Sequence, residues 1–533
     1  MKKSFSVFIS FFALVLVFYY VLGYRQISSG IGYVFLLDDV YIHLALAKNF
    51  ALNGAWSINE TGFDSASSSI LYTLILSFCI KIFGNWAFYP IIINIVFGFL
   101  TVYSVHRYFK DFYGKREWLI SMIFLLPFTM LYTMVLIGME HTLQMFLMVL
   151  MVYCVQKNVK TNFRNRDFFI LLLVLFFLAM VRFESMFFTV SLAFAVFLRK
   201  NFGKSILILL VGFLPILVFG LISVQNGGFF FPNSVLVKGH YPANQNIFES
   251  LFGILKNGIF MNKSFYKYLL FPLILIFSYL IIYRKKNFKS FLDETLIITI
   301  VATALLHSLF AVLEFRYENY LMIALLMVFV PMISAFLRDF SFNRIKFKQI
   351  IPLVAIAGIA LLSVYRMVYI HSYLKLASKN ISEQQLEMSR FLHQFYKNEK
   401  VVANDIGAIA YFSEVQLLDV VGLGSTEVAE IKYQNRNNSK EIRDKNYTEF
   451  IKSYTLKNQY KVAVIYPEWF PNRKVPSNWI PVASWTLQGV NKGTAIKRVV
   501  FFALNESEVK PLQQNLQKFN LNKNVVQYFY TLK

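Results

Sequence analysis

The sequence predicts a polytopic α-helical membrane domain followed by a small α/β domain outside the bilayer, and three features carry that expectation. Hydrophobic residues make up 57% of the 533 residues and charged residues only 15%, where a soluble chain carries about 25% charged residues. Apolar runs of near-membrane length recur through the first 370 residues, with short Lys/Arg clusters between them. After residue 370 the long runs stop, and Asn, Lys, Gln and Glu take over. The composition excludes a water-solvated globule and, being so apolar, a disordered chain. Cys79 and Cys154, both in apolar runs, are the only cysteines, which excludes a disulfide scaffold and a cysteine-based zinc site. The net charge of +24 would raise nucleic-acid binding in a soluble protein. Here the basic clusters are separated by membrane-length helices and mark the cytoplasmic face instead, so the expected partner is membrane lipid and not nucleic acid.

A helix needs about 20 apolar residues to cross the hydrocarbon core. Residues 6–24 meet this behind Lys2 and Lys3. The run is longer than the roughly 7–15-residue core of a cleaved signal peptide and does not end in small residues, so it reads as an uncleaved first helix with its N-terminus inside. Further runs lie near 67–83, 88–105, 118–136, 140–156, 168–180, 184–198, 205–224, 267–283, 295–313, 318–337 and 349–369. The clusters Lys157/Lys160/Arg164/Arg166, Arg199/Lys200/Lys204, Arg284/Lys285/Lys286/Lys289 and Arg338/Arg344/Lys346/Lys348 mark cytoplasmic turns. Residues 225–266, 314–318 and everything after 370 then lie outside. Counting every run as a crossing would return the C-terminus to the inside, against Lys346 and Lys348. Taking 67–83 as half-depth, since it is short and contains Lys81, places every cluster inside and leaves about eleven crossings. The expected domains are a membrane domain over 1–370, with a first outer loop at about 25–66, and an extracytoplasmic α/β domain over 371–533. Within the latter, Val401–Ala403, Val415–Val421, Lys461–Tyr466 and Thr494–Leu504 read as short strands. Met388, Phe391, Leu392 and Phe395 give residues 382–395 helical spacing.

The first outer loop holds Asp38-Asp39-Val-Tyr41-Ile-His43. One of two adjacent carboxylates beyond a helix end can take a proton from an incoming hydroxyl while the other orients it or holds a divalent cation. Capping fits the same residues, because Asp before Tyr41, Leu44, Ala45 and Lys48 is an ordinary helix start. Arg182 and Glu184 interrupt some thirty apolar residues. They suit either a phosphate clamp, for which the guanidinium fork is shaped, or a structural ion pair. Arg316 poses the same choice, and Lys238 on an outer loop either contacts an anion or faces water. Glu140, in the first turn of a helix, is explained by the helix dipole alone. There is no P-loop, no G-x-G-x-x-G, no G-x-S-x-G and no H-E-x-x-H, so a nucleotide-driven pump finds no support.

Taken in order, Asp38-Asp39-x-Tyr41-Ile, Lys48-Asn49, Asn59-x-x-Gly62 and Ser68-Ser69-x-Leu71 resemble the first outer loop of the GT-C-fold membrane glycosyltransferases. The likeness is closest to the arabinofuranosyltransferase-like and protein-mannosyltransferase-like group. Gly138-Met-Glu140, Arg182-x-Glu184, Pro232-Asn233 with Lys238, and Arg316-Tyr317 follow in that group's order. Asn404-Asp405-Ile-Gly407, Tyr411-Phe-Ser413 and Asp419-Val-Val-Gly422-Leu423 close the series. The chain departs from the pattern at Ile70 and Phe183, where Pro is usual, and at Ala45, where Arg is common.

The resemblance implies an inverting glycosyltransferase of the bacterial cytoplasmic membrane, transferring a hexose or pentose. Its donor substrate is a polyprenyl-phosphate-linked sugar, and its acceptor an extracytoplasmic glycan, glycolipid or protein. It implies Asp38 as general base with Asp39 beside it, and Tyr41, Glu140, Arg182, Lys238, Arg316 and Tyr317 as substrate-binding candidates. No cofactor is certain, and Asp38 with Asp39 are the candidate ligands of a divalent cation. The alternative is a transporter or flippase for lipid-linked sugars, for which intramembrane Arg182 and Glu184 would line a path. Transport can survive loss of the outer carboxylates; transfer should not.

Overall fold

The computed structural model describes residues 1–27, 33–233, 236, 247–283, 294–341 and 346–531. Lys238, Arg344 and the cluster at 284–289 fall outside the described residues. The chain divides into two compact units: Met1–Val17 with Ile91–Val218 and His240–His371, and Phe18–Pro90 with Phe219–Gly239 and Ser372–Lys533.

The first unit is helical. Six helices of the chain are long and apolar enough to cross a membrane, or seven if the pair Lys115–Thr129 and Leu131–Ile137 is one span, among the described residues. That pair covers the run expected at 118–136 but bends by 43°. The bend sits at Met130, whose φ of 51° is left-handed and stops the first helix. Asn319–Asp339 is buried almost throughout and packs against Lys115–Thr129 and His141–Lys160, so it is the core of this unit. Phe202–Gln225 instead exposes Ile206, Leu210, Leu217 and Leu221, which share one helical face. A contiguous apolar face left open suits lipid. Asn165–Val181 and Ser185–Leu198 are separate helices broken at Arg182, and Ser185–Leu198 packs on Glu294–Phe310.

In the second unit the segment expected as the first outer loop carries its own helix, Asp39–Asn53, packed on Ile70–Phe83. The latter is capped by Ser69, whose Oγ accepts the Tyr72 N–H at 3.2 Å. Its 14 residues span about 21 Å at the helical rise, less than the roughly 30 Å of a hydrocarbon core. The long helix Ile350–Glu383 runs past the change of composition at 370 and ends well inside the polar segment. Gln385–Tyr396 follows and buries Leu386, Met388, Phe391 and Leu392.

Six strands form one mixed sheet in the order β2-β1-β3-β5-β4-β6: β1 (Lys400–Ala403), β2 (Gln416–Asp419), β3 (Val462–Ile465), β4 (Ile480–Leu487), β5 (Arg498–Ala503) and β6 (Val525–Phe529). β2, β1 and β3 are parallel and the remaining pairs antiparallel. Two strands escape the sequence reading. Pro481 argues against a strand at 480–487, yet it sits where the β4–β5 register shifts, the kind of irregularity that tolerates proline. One sheet face packs Val402, Ile465 and Phe502 with Ile451 and Trp479. On the other, Phe391 meets Trp485, Phe501 and Phe519 at ring distances of 5.7, 5.3 and 5.5 Å.

Candidate functional site

The parallel strands end on one edge of the sheet, and β1 lies between β2 and β3. Such an edge, where the chain turns from one side of the sheet to the other, is the usual ligand position of open α/β sheets. Here Asn404 and Asp405 follow β1, Tyr466 follows β3, and the Gly407–Phe412 helix starts beside them. The group that fills this edge is Asp38. Although it precedes the Asp39–Asn53 helix, Asp38 has helical dihedrals and its side chain makes no bond to that helix. Its Oδ2 instead accepts the Gly407 N–H at 2.5 Å and its Oδ1 the Ala408 N–H at 2.8 Å. It therefore caps a helix remote in sequence, and the expectation that it caps its own helix is not met. Only glycine fits at 407, since a Cβ there would run into the Asp38 carbonyl oxygen.

Asp405 is hydrogen-bonded to Asp38. Its Oδ2 accepts from Gln385 Nε2 at 2.7 Å and lies 3.1 Å from the Tyr466 hydroxyl. Burial first, then the charge of Asp405, pushes the Asp38 carboxyl well above the usual carboxylate range; the Gly407 and Ala408 amides pull the other way. Burial also raises Asp405, with Asp39 adding to it and Gln385, Asp38 and Tyr466 opposing. Two adjacent carboxyls in a dry site hold a proton between them more readily than two charges. Asp39 is half-buried at the first position of its helix. Tyr41 is buried, with its hydroxyl 3.4 Å from the Phe35 N–H and its ring against Tyr411 and Phe412.

Several of the short motifs turn out to fasten this edge. The Asn59 side chain bonds the Leu417 carbonyl and N–H at 3.1 and 2.8 Å, extending β2 by one polar pair. Asp64 gathers the Ser57 hydroxyl and the Ile58 and Ala66 amides, and burial raises its carboxyl to about 7. Asn233 also fastens this edge: its N–H meets Ser65 Oγ at 3.0 Å and its amide donates to the Leu423 carbonyl at 3.2 Å.

The other candidates belong to the first unit, where three turns between apolar helices converge. Arg182 has extended dihedrals between its two helices. It binds Glu140 at 2.5 Å and Glu184 bidentately at 3.1 and 2.7 Å. The ion pair, one of the two readings of Arg182, is formed. Arg316 donates to Met139 Sδ at 3.2 Å and to the Tyr317 hydroxyl at 3.1 Å. It follows Phe315, whose φ of 60° holds the turn in a strained, left-handed conformation. The Tyr317 ring has the Arg182 guanidinium 5.2 Å and the Arg316 guanidinium 5.0 Å from its centroid. Behind it, Arg366 is buried against Glu318 at 2.8 Å and Asn319 at 2.5 Å.

The structure thus groups Asp38, Asp39 and Tyr41 in one unit, and Glu140, Arg182, Arg316 and Tyr317 in the other. Lys238 lies outside the described residues. Sequence reasoning gave no role to Asp405, Tyr466, Gln385 or His141. The Asp-Ile-Gly turn after β1 was the available signal for Asp405. Among the described residues no three His, Cys, Asp or Glu side chains are grouped to hold a metal ion. Asp38 spends one acceptor site of each oxygen on backbone amides.

Residues 67–223 match the family profile of dolichyl-phosphate-mannose-protein mannosyltransferases, and residues 379–502 match a domain of unknown function, DUF8728. A search of curated proteins returns no significant match. Among solved structures, ArnT from Cupriavidus metallidurans in the apo state aligns with a TM-score of 0.52 and 12% identity, over 94% of this chain and 99% of that one. The same protein bound to undecaprenyl phosphate aligns with a TM-score of 0.52 and 12% identity, over 94% of this chain and 98% of that one. The chain has the GT-C fold of membrane glycosyltransferases.

Proposed function

We propose that the protein is a polyprenyl-phosphate-sugar-dependent glycosyltransferase that moves its sugar, with inversion, to a glycan, glycolipid or protein acceptor outside the bacterial cytoplasmic membrane. What supports the reading most is Asp38. A buried carboxyl with a raised proton affinity, fixed by two amides on a GT-C fold, is a suitable general base, because a base works best with its pKa near the operating pH. The mannosyltransferase-family match over residues 67–223, and the undecaprenyl phosphate bound by ArnT, favour a lipid-linked phosphate donor.

In this reading the acceptor hydroxyl gives its proton to ionised Asp38 as its oxygen attacks the anomeric carbon. The bond from that carbon to the phosphate oxygen breaks on the opposite face, and its electron pair leaves with polyprenyl phosphate. One displacement inverts the centre, and one carboxylate is enough. Asp39 orients the acceptor. Arg316 and Tyr317, with Lys238, meet the charge that grows on the phosphate, the kind of stabilisation that usually contributes most. Arg182 is locked by Glu140 and Glu184, so it holds the shape of the cluster and adds field. The glycosyl-phosphate bond supplies the driving force, and no nucleotide is required.

Residues 371–533 form the extracytoplasmic domain in this reading, and 1–370 the membrane domain. Cysteines placed at exposed Thr61 and Ser507 should react with an impermeant thiol reagent in intact cells, and one at Lys200 should not. Labelling at 200 from outside would reverse the orientation. Mass analysis of surface glycans with and without the protein tests the activity itself. A defined missing sugar is expected, and an unchanged glycan profile would contradict the assignment.

A further inference from the structure

His141 opens the His141–Lys160 helix at 1% exposure, and neither of its ring nitrogens has a hydrogen-bond partner among the described residues. Three residues on, Gln144 is also 1% exposed, and its Nε2 has none. Residues three apart share a helix face, so one face of this helix start carries three unsatisfied nitrogens. Native interiors satisfy nearly all such groups, because an unmade hydrogen bond leaves the full desolvation cost. The surroundings say what is missing. The imidazole lies T-shaped against the Tyr317 ring at 6.0 Å and 84°, the same ring that both guanidiniums approach. Arg182, Arg316, Glu140 and Glu184 are the charges acting on His141. An apolar ligand would leave the nitrogens unsatisfied, and a cation would meet two guanidiniums. A ligand rich in acceptor oxygens and carrying negative charge answers the imidazole N–H and the Gln144 amide, the other ring nitrogen being an acceptor.

We infer that His141 and Gln144 donate hydrogen bonds to the phosphate oxygens of a polyprenyl-phosphate ligand, beside Arg316 and Tyr317. The inference rests on the polyprenyl-phosphate reading above and names the residues that would read its phosphate. A neutral imidazole and an amide add directional donors where guanidiniums supply charge. They bind the phosphate and take no part in bond making.

The test uses the full chain in phosphatidylcholine nanodiscs, with undecaprenyl phosphate as probe and undecaprenol and phosphatidic acid as controls. The wild type is expected to bind the polyprenyl phosphate more tightly than the alcohol or phosphatidic acid. His141→Phe, which keeps a planar ring without nitrogens, should weaken that binding about 10- to 100-fold, the loss of a hydrogen bond to a charged group. Gln144→Leu should weaken it in the same direction. Binding of the alcohol should not change. The ligand-free melting temperature separates this from a structural role: removing unsatisfied nitrogens should leave it unchanged or raise it, whereas a histidine needed for packing would lower it. Wild-type affinity in both variants, or a melting temperature lowered in step with lost binding, overturns the inference while leaving the transferase reading standing. An equal response to phosphatidic acid overturns the polyprenyl assignment, and a wild type that binds no polyprenyl phosphate removes the inference and the transferase reading together.

Discussion

The two charged regions of the molecule are built on opposite principles. Around Asp38 the negative charge is met by backbone amides, a second carboxyl, an amide side chain and a phenol. Around Arg182 the positive charge is met by two carboxylates, one of them fully buried. Backbone amides fix a carboxyl in place without neutralising it, so burial and Asp405 keep its proton affinity high. Carboxylates neutralise a guanidinium outright, which suits a framework. The contrast teaches that charge at membrane depth is not by itself a substrate contact. Asp38 keeps a raised proton affinity, whereas the Arg182 fork is held by Glu140 and Glu184.

That comparison can be broken most forcefully at Asp38. Asp38→Asn keeps the shape and one acceptor for the Gly407–Phe412 helix but removes the proton acceptor. Sugar transfer by membranes carrying matched protein should fall by about 10²–10⁴-fold, while the protein remains folded by size-exclusion chromatography. Arg182→Ala tests the other region. It removes the Arg182 partner of Glu140, which is 0% exposed, and removing one partner of a buried pair costs about 3–5 kcal/mol. A loss of that size in detergent or denaturant titration is expected, with little folded protein at physiological temperature. Arg316→Lys should instead fold normally and lose about tenfold or more in kcat/KM, because a lysine keeps charge without the bidentate fork. If Arg182→Ala were stable and Arg316→Lys unfolded, the two arginines would have exchanged roles.

Smaller effects sharpen the acidic side. Gly407→Ala drives a Cβ into the Asp38 carbonyl, and overpacking of this kind costs about 1–3 kcal/mol. Its melting temperature should drop and its transfer rate with it. Asp405→Asn bears on pH. Asp38 works as a base only when ionised, and its carboxyl is raised by burial and by Asp405. Activity should therefore fall as pH drops through that raised value. Removing the neighbouring charge should move this acid limb to lower pH. Stability runs the other way. A carboxyl whose folded value is raised adds stability that is fully present below its unfolded value and is lost as pH rises through the folded one. Mild acid should thus silence the wild type before it unfolds it. An acid limb at the same pH in Asp405→Asn would show that Asp405 does not act on the base.

Local patterns and sequence-distant contacts were legible to different degrees. The membrane helices follow from apolar runs, and Asp38 stands out as a carboxylate beyond a helix end. Its partners did not, because Gly407 lies 369 residues away and only the sheet edge brings it near. Arg182 was paired with Glu184, two residues on. The decisive partner, Glu140, comes from another turn, 42 residues away, and its burial on the helix dipole alone looked sufficient. The long helix through residue 370 hid because its polar end is buried by packing rather than by hydrophobic content, with Ser378, Asn380 and Glu383 near 1% exposure or below. Strand β4 hid behind Pro481, which a register shift accommodates. His141 left no trace in sequence; a single histidine after Gly-Met-Glu has no spacing to interpret.

The most direct measurement is a transfer assay on the purified full-length protein, with a polyprenyl-phosphate sugar as the only donor and cell-envelope glycolipid as acceptor. Mass spectrometry would follow both the glycosylated acceptor and the released polyprenyl phosphate, and NMR the anomeric configuration. Release of one polyprenyl phosphate per sugar transferred, with the configuration inverted and no activity from nucleotide sugars, is the expected result. Transfer from a nucleotide sugar, retention of configuration, or undiminished transfer by Asp38→Asn would contradict the account.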